Sequence, residues 1–240
     1  MNIGIIGNGK MGQRIAEIVK EQGDSPLQVI HSLRGLQSID FAESPEILID
    51  FSHPDNLEKV LAYSQETHVP LVSGTTGYSQ AQLAHLKKAA QTIPVLYSAN
   101  FSLGIMVMNR LIKQAAMDLA SWQIEVMEKH HDQKKDAPSG TAKYLVETLQ
   151  SVQNLTPVYQ WTDKERQANE IGVHSIRAGS FPGEHEVLFA GNDEVLSIKH
   201  EAFSNRIFAQ GAIQASYWLK EQPPGFYHLE DLFAPKGGKQ

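Results

Sequence analysis

The first twenty residues constrain the fold more than any other part of the chain. A short apolar run, Met1-Asn-Ile-Gly-Ile-Ile, leads into Gly7-Asn8-Gly9-Lys10-Met11-Gly12 and then into the amphipathic stretch Arg14-Ile-Ala-Glu-Ile-Val-Lys. Strand, glycine turn and helix in this order form the opening of a Rossmann-type dinucleotide-binding unit. Gly7 permits the tight turn, Gly9 lets a pyrophosphate approach the backbone, and Gly12 lets helix and strand pack closely, with Lys10 and Met11 completing the turn. A nicotinamide dinucleotide is the expected ligand.

Three further segments repeat the pattern of apolar strand followed by polar turn. They are Ile47-Leu-Ile-Asp50-Phe51-Ser52-His53-Pro54, Pro70-Leu-Val-Ser73-Gly74-Thr75-Thr76-Gly77 and Ile93-Pro-Val-Leu-Tyr-Ser98-Ala99-Asn100-Phe101-Ser102. Strands alternating with helices predict a parallel sheet whose carboxyl-end turns share one crevice, so Gly74, Thr75, Thr76, Ser98, Ala99, Asn100 and Phe101 are candidate cofactor contacts. A second strand, Leu27 to His31, is followed by Ser32-Leu33-Arg34. No carboxylate stands there to repel a 2′-phosphate, and His31 and Arg34 can attract one, which favours NADPH over NADH.

The segment Glu128-Lys129-His130-His131-Asp132-Gln133-Lys134-Lys135-Asp136-Ala137-Pro138-Ser139-Gly140-Thr141 crowds proton-transferring, cationic and anion-binding groups together. Trp122 to Met127 alternates like a half-buried strand, and Ser139-Gly-Thr-Ala opens a helical run to about Gln150, so the polar cluster is expected in the loop between them. Ser139 suits the N-cap. The N–H groups of Gly140, Thr141 and Ala142, with the Ser139 and Thr141 hydroxyls, make an anion seat to which Lys134 adds a full charge. An imidazole with an ordinary pKa of about 6.5 exchanges protons near neutrality, so His130 or His131 can serve as acid or base.

Beyond Leu103 the pattern changes. An amphipathic run to Ala120 precedes the Trp122 strand, and after the second helix the chain turns to strands read as antiparallel. Val173 to Ala178 is one, and Glu184 to Ala190 with Glu194 to His200 forms a hairpin around Gly191-Asn-Asp. Arg206 to Lys220 is helical again. His174, His185 and His200 lie on these strands without the spacing of metal ligands, so no metal site is expected. Met106 and Met108 are read as core.

The set Gly7-x-Gly9-x-x-Gly12, Asp50-Phe-Ser, Gly74-Thr-Thr-Gly, Ala99-Asn-Phe-Ser and Glu128-x-His-His-x-x-Lys-x-Asp-Ala-Pro-Ser-Gly-Thr resembles the bacterial 4-hydroxy-tetrahydrodipicolinate reductase (dihydrodipicolinate reductase) family of lysine and diaminopimelate biosynthesis, over essentially the whole chain. The histidine-to-threonine segment is the specific part; the glycine fingerprint is shared by many dehydrogenases. Two departures are visible: the glycine loop is the shorter variant, and the family's acidic residue after the second strand is missing, so NADPH and NADH are both carried forward. The resemblance implies an α/β fold, with a discontinuous Rossmann-like dinucleotide-binding domain (1–102 and 207–240) and a smaller α+β substrate-binding and oligomerisation domain with a mixed sheet (103–206). It implies His130 as catalytic acid and Lys134 in catalysis and carboxylate binding. It also implies His131, Ser139, Gly140, Thr141 and Arg206 as substrate-binding residues, and a homotetramer formed through the substrate-domain sheet.

Other functional classes fit less of the chain. A non-catalytic dinucleotide sensor needs no histidine beside Lys134. A dehydrogenase acting on an amino-acid semialdehyde needs no pair of anion seats matched to a dicarboxylate. The net charge of -6 argues against a mainly electrostatic nucleic-acid partner. No segment is apolar for long enough to span a membrane, the start lacks a secretory-signal pattern, and there is no cysteine. A cytoplasmic enzyme acting on a small dicarboxylate is expected.

Overall fold

The structure, a computed structural model, describes residues 1–29 and 39–233. In chain order the elements are β1 (Asn2–Ile6), α1 (Lys10–Glu21), β2 (Ser25–Val29), β3 (Ile47–Asp50), α2 (Leu57–Thr67), β4 (Leu71–Ser73), α3 (Gln80–Ala89), β5 (Pro94–Tyr97), α4 (Leu103–Asp118), β6 (Gln123–His130), α5 (Gly140–Gln150), β7 (Thr156–Val158), β8 (Glu170–Arg177), β9 (Glu184–Ala190), β10 (Val195–Glu201), α6 (Arg206–Leu219) and β11 (Gly225–Tyr227). They divide into two compact units, Leu103–Asn205 and the remainder, so Arg206 falls with the first unit rather than the second.

The first unit is a six-stranded sheet in the order β11-β5-β4-β3-β1-β2, parallel throughout. Strands covered on both faces lose the polar alternation and become continuous apolar runs. Accordingly Ile47, Leu48 and Ile49 in β3 and Leu71 and Val72 in β4 are all buried. The strand order reverses between β1 and β3, which puts the turns after Ile6 and Asp50 at the topological switch point, where ligands bind in such sheets. The turns are also joined to each other: Phe51 donates its N–H to the Ile6 carbonyl at 2.9 Å.

The second unit is a mixed sheet in the order β10-β9-β6-β8-β7. One face is covered by α4 and α5, whose Ile105, Met108, Ile112, Leu145 and Leu149 pack on Ile124, Val126, Ile171, Val173 and Phe189. The expected hairpin is present as the antiparallel pair β9–β10. The expectation of an antiparallel strand at Val173 is overturned: β8 runs parallel to both β6 and β7. Alternation reveals a pleated, half-buried strand but not its direction. Direction is set here by the connections: α5 returns the chain between β6 and β7, and residues 159–169 return it again between β7 and β8, as parallel neighbours require.

Candidate active site

The glycine turn of the first unit is shaped by contacts that exclude side chains. Gly7 has φ +116, and a Cβ there would press on the Phe51 carbonyl; a Cβ at Gly12 would overlap the Gly7 carbonyl oxygen. Gly9 differs, since nothing lies within 4 Å of where its Cβ would be, and it caps α1 with no side-chain hydrogen bond. A helix N-terminus opening on clear space is the geometry a pyrophosphate needs, so the residues present fit a dinucleotide. Lys10 is exposed and Met11 half-buried at the start of the same helix.

The neighbouring turn is held by a buried carboxylate. Asp50 accepts hydrogen bonds from the hydroxyls of Ser52 (2.6 Å), Thr75 (2.9 Å) and Tyr78 (3.1 Å), and the Thr75 hydroxyl in turn accepts from Ser52 N–H at 2.9 Å. Thr75 is thereby a buried support of the turn, whereas Thr76 is exposed and Gly74 lies against the Phe51 ring. In the third turn the Ser98 hydroxyl bonds the Asn100 carbonyl at 2.7 Å and the Asn100 side chain accepts from Ser102 N–H at 2.8 Å, leaving Ala99 exposed. Phe101 is buried, its ring 5.4 Å from that of Phe51. His31 and Arg34, on which the cofactor preference was argued, lie outside the described residues.

In the second unit Glu128, Lys129 and His130 are not in the loop, as the sequence reading had them; β6 continues through His130. With a period of two, Ile124, Val126, Glu128 and His130 share the face covered by the helices. Glu128 is 0% exposed and His130 8%. Register supplies their partners: His130 lies opposite Arg177 on β8, and Glu128 opposite His185 on β9. Arg177 grips Glu128 with two prongs at 2.7 and 2.8 Å, and Glu128 also receives Ser139 N–H at 3.2 Å and bonds His130 Nδ1. Burial pushes the Glu128 carboxyl up, but hydrogen bonds from Arg177, Ser175, His130 and the Ser139 backbone outweigh it and hold the group at about 2. Burial pushes the His130 imidazole down and Glu128 pushes it up; with Lys134 and Arg177 adding positive charge, it stays below the ordinary histidine value.

Ser139 caps α5 as expected, its hydroxyl accepting from Ala142 N–H at 3.1 Å and contacting His185 Nε2 at 3.1 Å. That corrects the anion seat read from the sequence. The Ala142 N–H and the Ser139 side chain are engaged inside the unit, while at the same helix start Gly140 is exposed and Thr141 half-buried. Lys134 follows in the loop, paired with Asp136 at 2.8 Å, and His131 is half-buried with its N–H on the Phe181 carbonyl at 2.9 Å. Arg206 sits at the start of α6, in the chain's other unit, and pairs with Glu21. Among the described residues no group of His, Cys, Asp and Glu is arranged to hold a metal ion, and no helix is long and apolar enough to cross a membrane.

The sequence reading did not single out Arg177 and named His185 only as a strand histidine, not as a neighbour of His130 and Ser139, although one signal was available. An acidic residue on the inward phase of an alternating strand needs buried hydrogen-bond donors or a cation to meet it.

A parallel sheet with a glycine turn at its switch point, joined in one chain to a second unit that buries a histidine–carboxylate pair beside a helix start, defines a Rossmann-type oxidoreductase. Comparison with known proteins narrows the class. Residues 1–101 match the N-terminal domain and residues 104–233 the C-terminal domain of dihydrodipicolinate reductase. The chain is 42% identical to 4-hydroxy-tetrahydrodipicolinate reductase of Exiguobacterium sibiricum, over 97% of this chain and 96% of the relative, and 39% identical to that of Rickettsia rickettsii, over 97% and 99%. Among solved structures, dipicolinate-bound dihydrodipicolinate reductase from Paenisporosarcina sp. TG-14 superposes with a TM-score of 0.77 at 22% identity, covering 96% of this chain and 98% of that one. An amine dehydrogenase from Mycobacterium smegmatis shares the fold at a TM-score of 0.60 and 10% identity, over 96% of this chain and 95% of that one. The chain belongs to the dihydrodipicolinate reductase family and is an oxidoreductase.

Proposed function

We propose that His130 is the acid and Lys134 the positioning cation in the reaction of this family, the NAD(P)H-dependent reduction of 4-hydroxy-2,3,4,5-tetrahydrodipicolinate to 2,3,4,5-tetrahydrodipicolinate in lysine and diaminopimelate biosynthesis. The observation that carries the reading is the burial of His130 against Glu128 on the same sheet face as the start of α5, with Lys134 in the connecting loop.

The turns at Gly7 to Gly12, Gly74 to Thr76 and Ser98 to Asn100 would hold the dinucleotide, whose chemistry would be the supply of a hydride to C4 of the substrate ring. A hydride and a proton together replace the 4-hydroxyl, which leaves as water, so the protein must provide one proton. His130 Nε2 provides it. Lys134 binds one carboxylate and fixes the ring, the kind of orientation that supplies much of an enzymatic rate. Gly140 and Thr141, at the positive end of α5, take the other carboxylate, with Ser139 shaping the turn and His131 at its rim. Arg206 is assigned to the substrate side by resemblance alone.

NADPH is the favoured cofactor, because His31-Ser32-Leu33-Arg34 carries no carboxylate to repel a 2′-phosphate. A homotetramer assembled through the sheet of the second unit is supported by the exposed apolar side chains of Ile176, Val195 and Leu196 on β8 and β10. The cytoplasm is the proposed location.

Titration with pyridine-2,6-dicarboxylate tests the two-seat reading. Binding that weakens about tenfold or more in Lys134→Ala, and likewise in Thr141→Val, is expected. Affinity unchanged in both variants would refute it.

A further inference from the structure

We propose that Glu128 and Arg177 act together as positioning residues: they hold His130 in the tautomer with hydrogen on Nδ1, leaving Nε2 to exchange the proton, and they anchor the Lys134 loop to the same point. The proposal rests on the reading of His130 as the acid. Its basis is geometric. Glu128 bonds His130 Nδ1 through one oxygen, and that oxygen and its twin are both gripped by Arg177. A carboxylate can only accept, so above the pKa of His130 the shared hydrogen belongs to Nδ1. Nε2 points instead toward Gly183, where a Cβ would come within 3.2 Å of it; the absence of a side chain leaves that nitrogen room.

Arg177 does more than neutralise Glu128. Its Nη2 also donates to the Asp136 carbonyl at 2.6 Å, and Asp136 is the residue whose carboxylate pairs with Lys134 at 2.8 Å. Ser139 N–H on the same Glu128 ties down the end of the loop at the start of α5. One buried ion pair therefore sets the orientation of the imidazole and both ends of the segment carrying the lysine. The groups facing His130 are Glu128 on its own strand, Arg177 on β8, His185 on β9, with ring centroids 5.1 Å apart, and Lys134 from the loop. His185 is held down to about 4 by burial, with the neighbouring positive charges, so near neutrality it adds no charge.

The two members of the pair push the imidazole in opposite directions, which a purely structural role would not reproduce. Loss of the Glu128 charge favours neutral His130; loss of the Arg177 charge favours the imidazolium. Three measurements on the full chain test the pair. In wild-type protein labelled with nitrogen-15 in histidine, with the signal assigned by its loss in His130→Asn, Nδ1 is expected to be the protonated nitrogen above the pKa. In Glu128→Gln, kcat is expected to fall about ten- to a hundredfold, part of what a general acid supplies, with a smaller rise in KM from the loosened Lys134 loop. The pH above which kcat declines is expected to move down in Glu128→Gln and up in Arg177→Met.

Hydrogen on Nε2 in the wild-type protein overturns the proposal whether or not either variant folds. So does an unmoved pH profile in folded Glu128→Gln. His130→Asn separates this inference from the reading beneath it. Full activity in that variant removes His130 as the acid and the proposal with it, whereas lost activity there beside an unaffected Glu128→Gln removes only the positioning pair.

Discussion

Asp50 and Glu128 are both buried carboxylates near the carboxyl end of a strand, one in each unit, and they are satisfied by different chemistry. Asp50 is surrounded by three hydroxyls, from Ser52, Thr75 and Tyr78, and makes no ion pair among the described residues. Burial pushes its carboxyl above the usual range, against those hydrogen bonds. Glu128 is equally buried but meets a guanidinium with two parallel hydrogen bonds, and stays ionised down to about 2. The first carboxylate ties strand to turn and shapes a backbone surface for a ligand. The second carries a fixed charge to an imidazole. The nucleotide unit thus builds its site from glycine and small hydroxyl residues, and the other unit builds its site from paired charges, so substitutions should injure them in different ways.

The largest expected effect is on the charged side. His130→Asn should lower kcat about 10²- to 10⁴-fold while nucleotide affinity, measured by cofactor fluorescence, stays at the wild-type value. On the glycine side, Gly12→Ala forces the Gly7 carbonyl to move and should weaken nucleotide binding about a hundredfold, the consequence of a strain of about 1–3 kcal/mol. Next come the carboxylates themselves, compared by urea denaturation. Glu128→Gln leaves the half-buried Arg177 without its carboxylate and should cost about 3 kcal/mol, whereas Asp50→Asn, facing rotatable hydroxyls, should cost about 1 kcal/mol.

Acid should separate the two sites by sign. His185 titrates at about 4 in the folded chain against an ordinary 6.5, so its contribution to stability is complete above 6.5 and lost as pH falls toward about 4. Glu128 extends the loss from 4.5 down to about 2. Asp50, raised above 3.8, works the other way: its protonated form is favoured in the folded chain, so acidification through its pKa relieves a penalty. Hydrogen exchange resolved by segment should therefore show β9, β6 and α5 loosening below pH 6.5 before β3 and β4 do. The smallest effect is at Gly9, where alanine meets no protein atom: the midpoint of thermal unfolding should change by about 1 °C or less, while nucleotide affinity falls.

The same contrast explains what could be read from the sequence. The glycine turn was readable because its spacing is local: Gly12 meets the Gly7 carbonyl within a few residues, although Gly7 itself meets Phe51, after β3. The Ser139 cap was readable for the same reason. Arg177 was not, because it stands 49 residues from Glu128 and reaches it only through the parallel register of β6 and β8. That register depends on β8 running parallel, the direction that alternation does not encode. The extension of β6 through His130 was missed because charged residues in sequence look like a loop until their partners across the sheet are known.

Steady-state oxidation of reduced nicotinamide, with the substrate generated in place by the upstream synthase, tests the assignment most directly when wild type is set beside Lys134→Ala. Rapid turnover that requires the dicarboxylate, runs faster with NADPH than with NADH and collapses in the variant is the expected result. Tight nucleotide binding without turnover on either cofactor would contradict it.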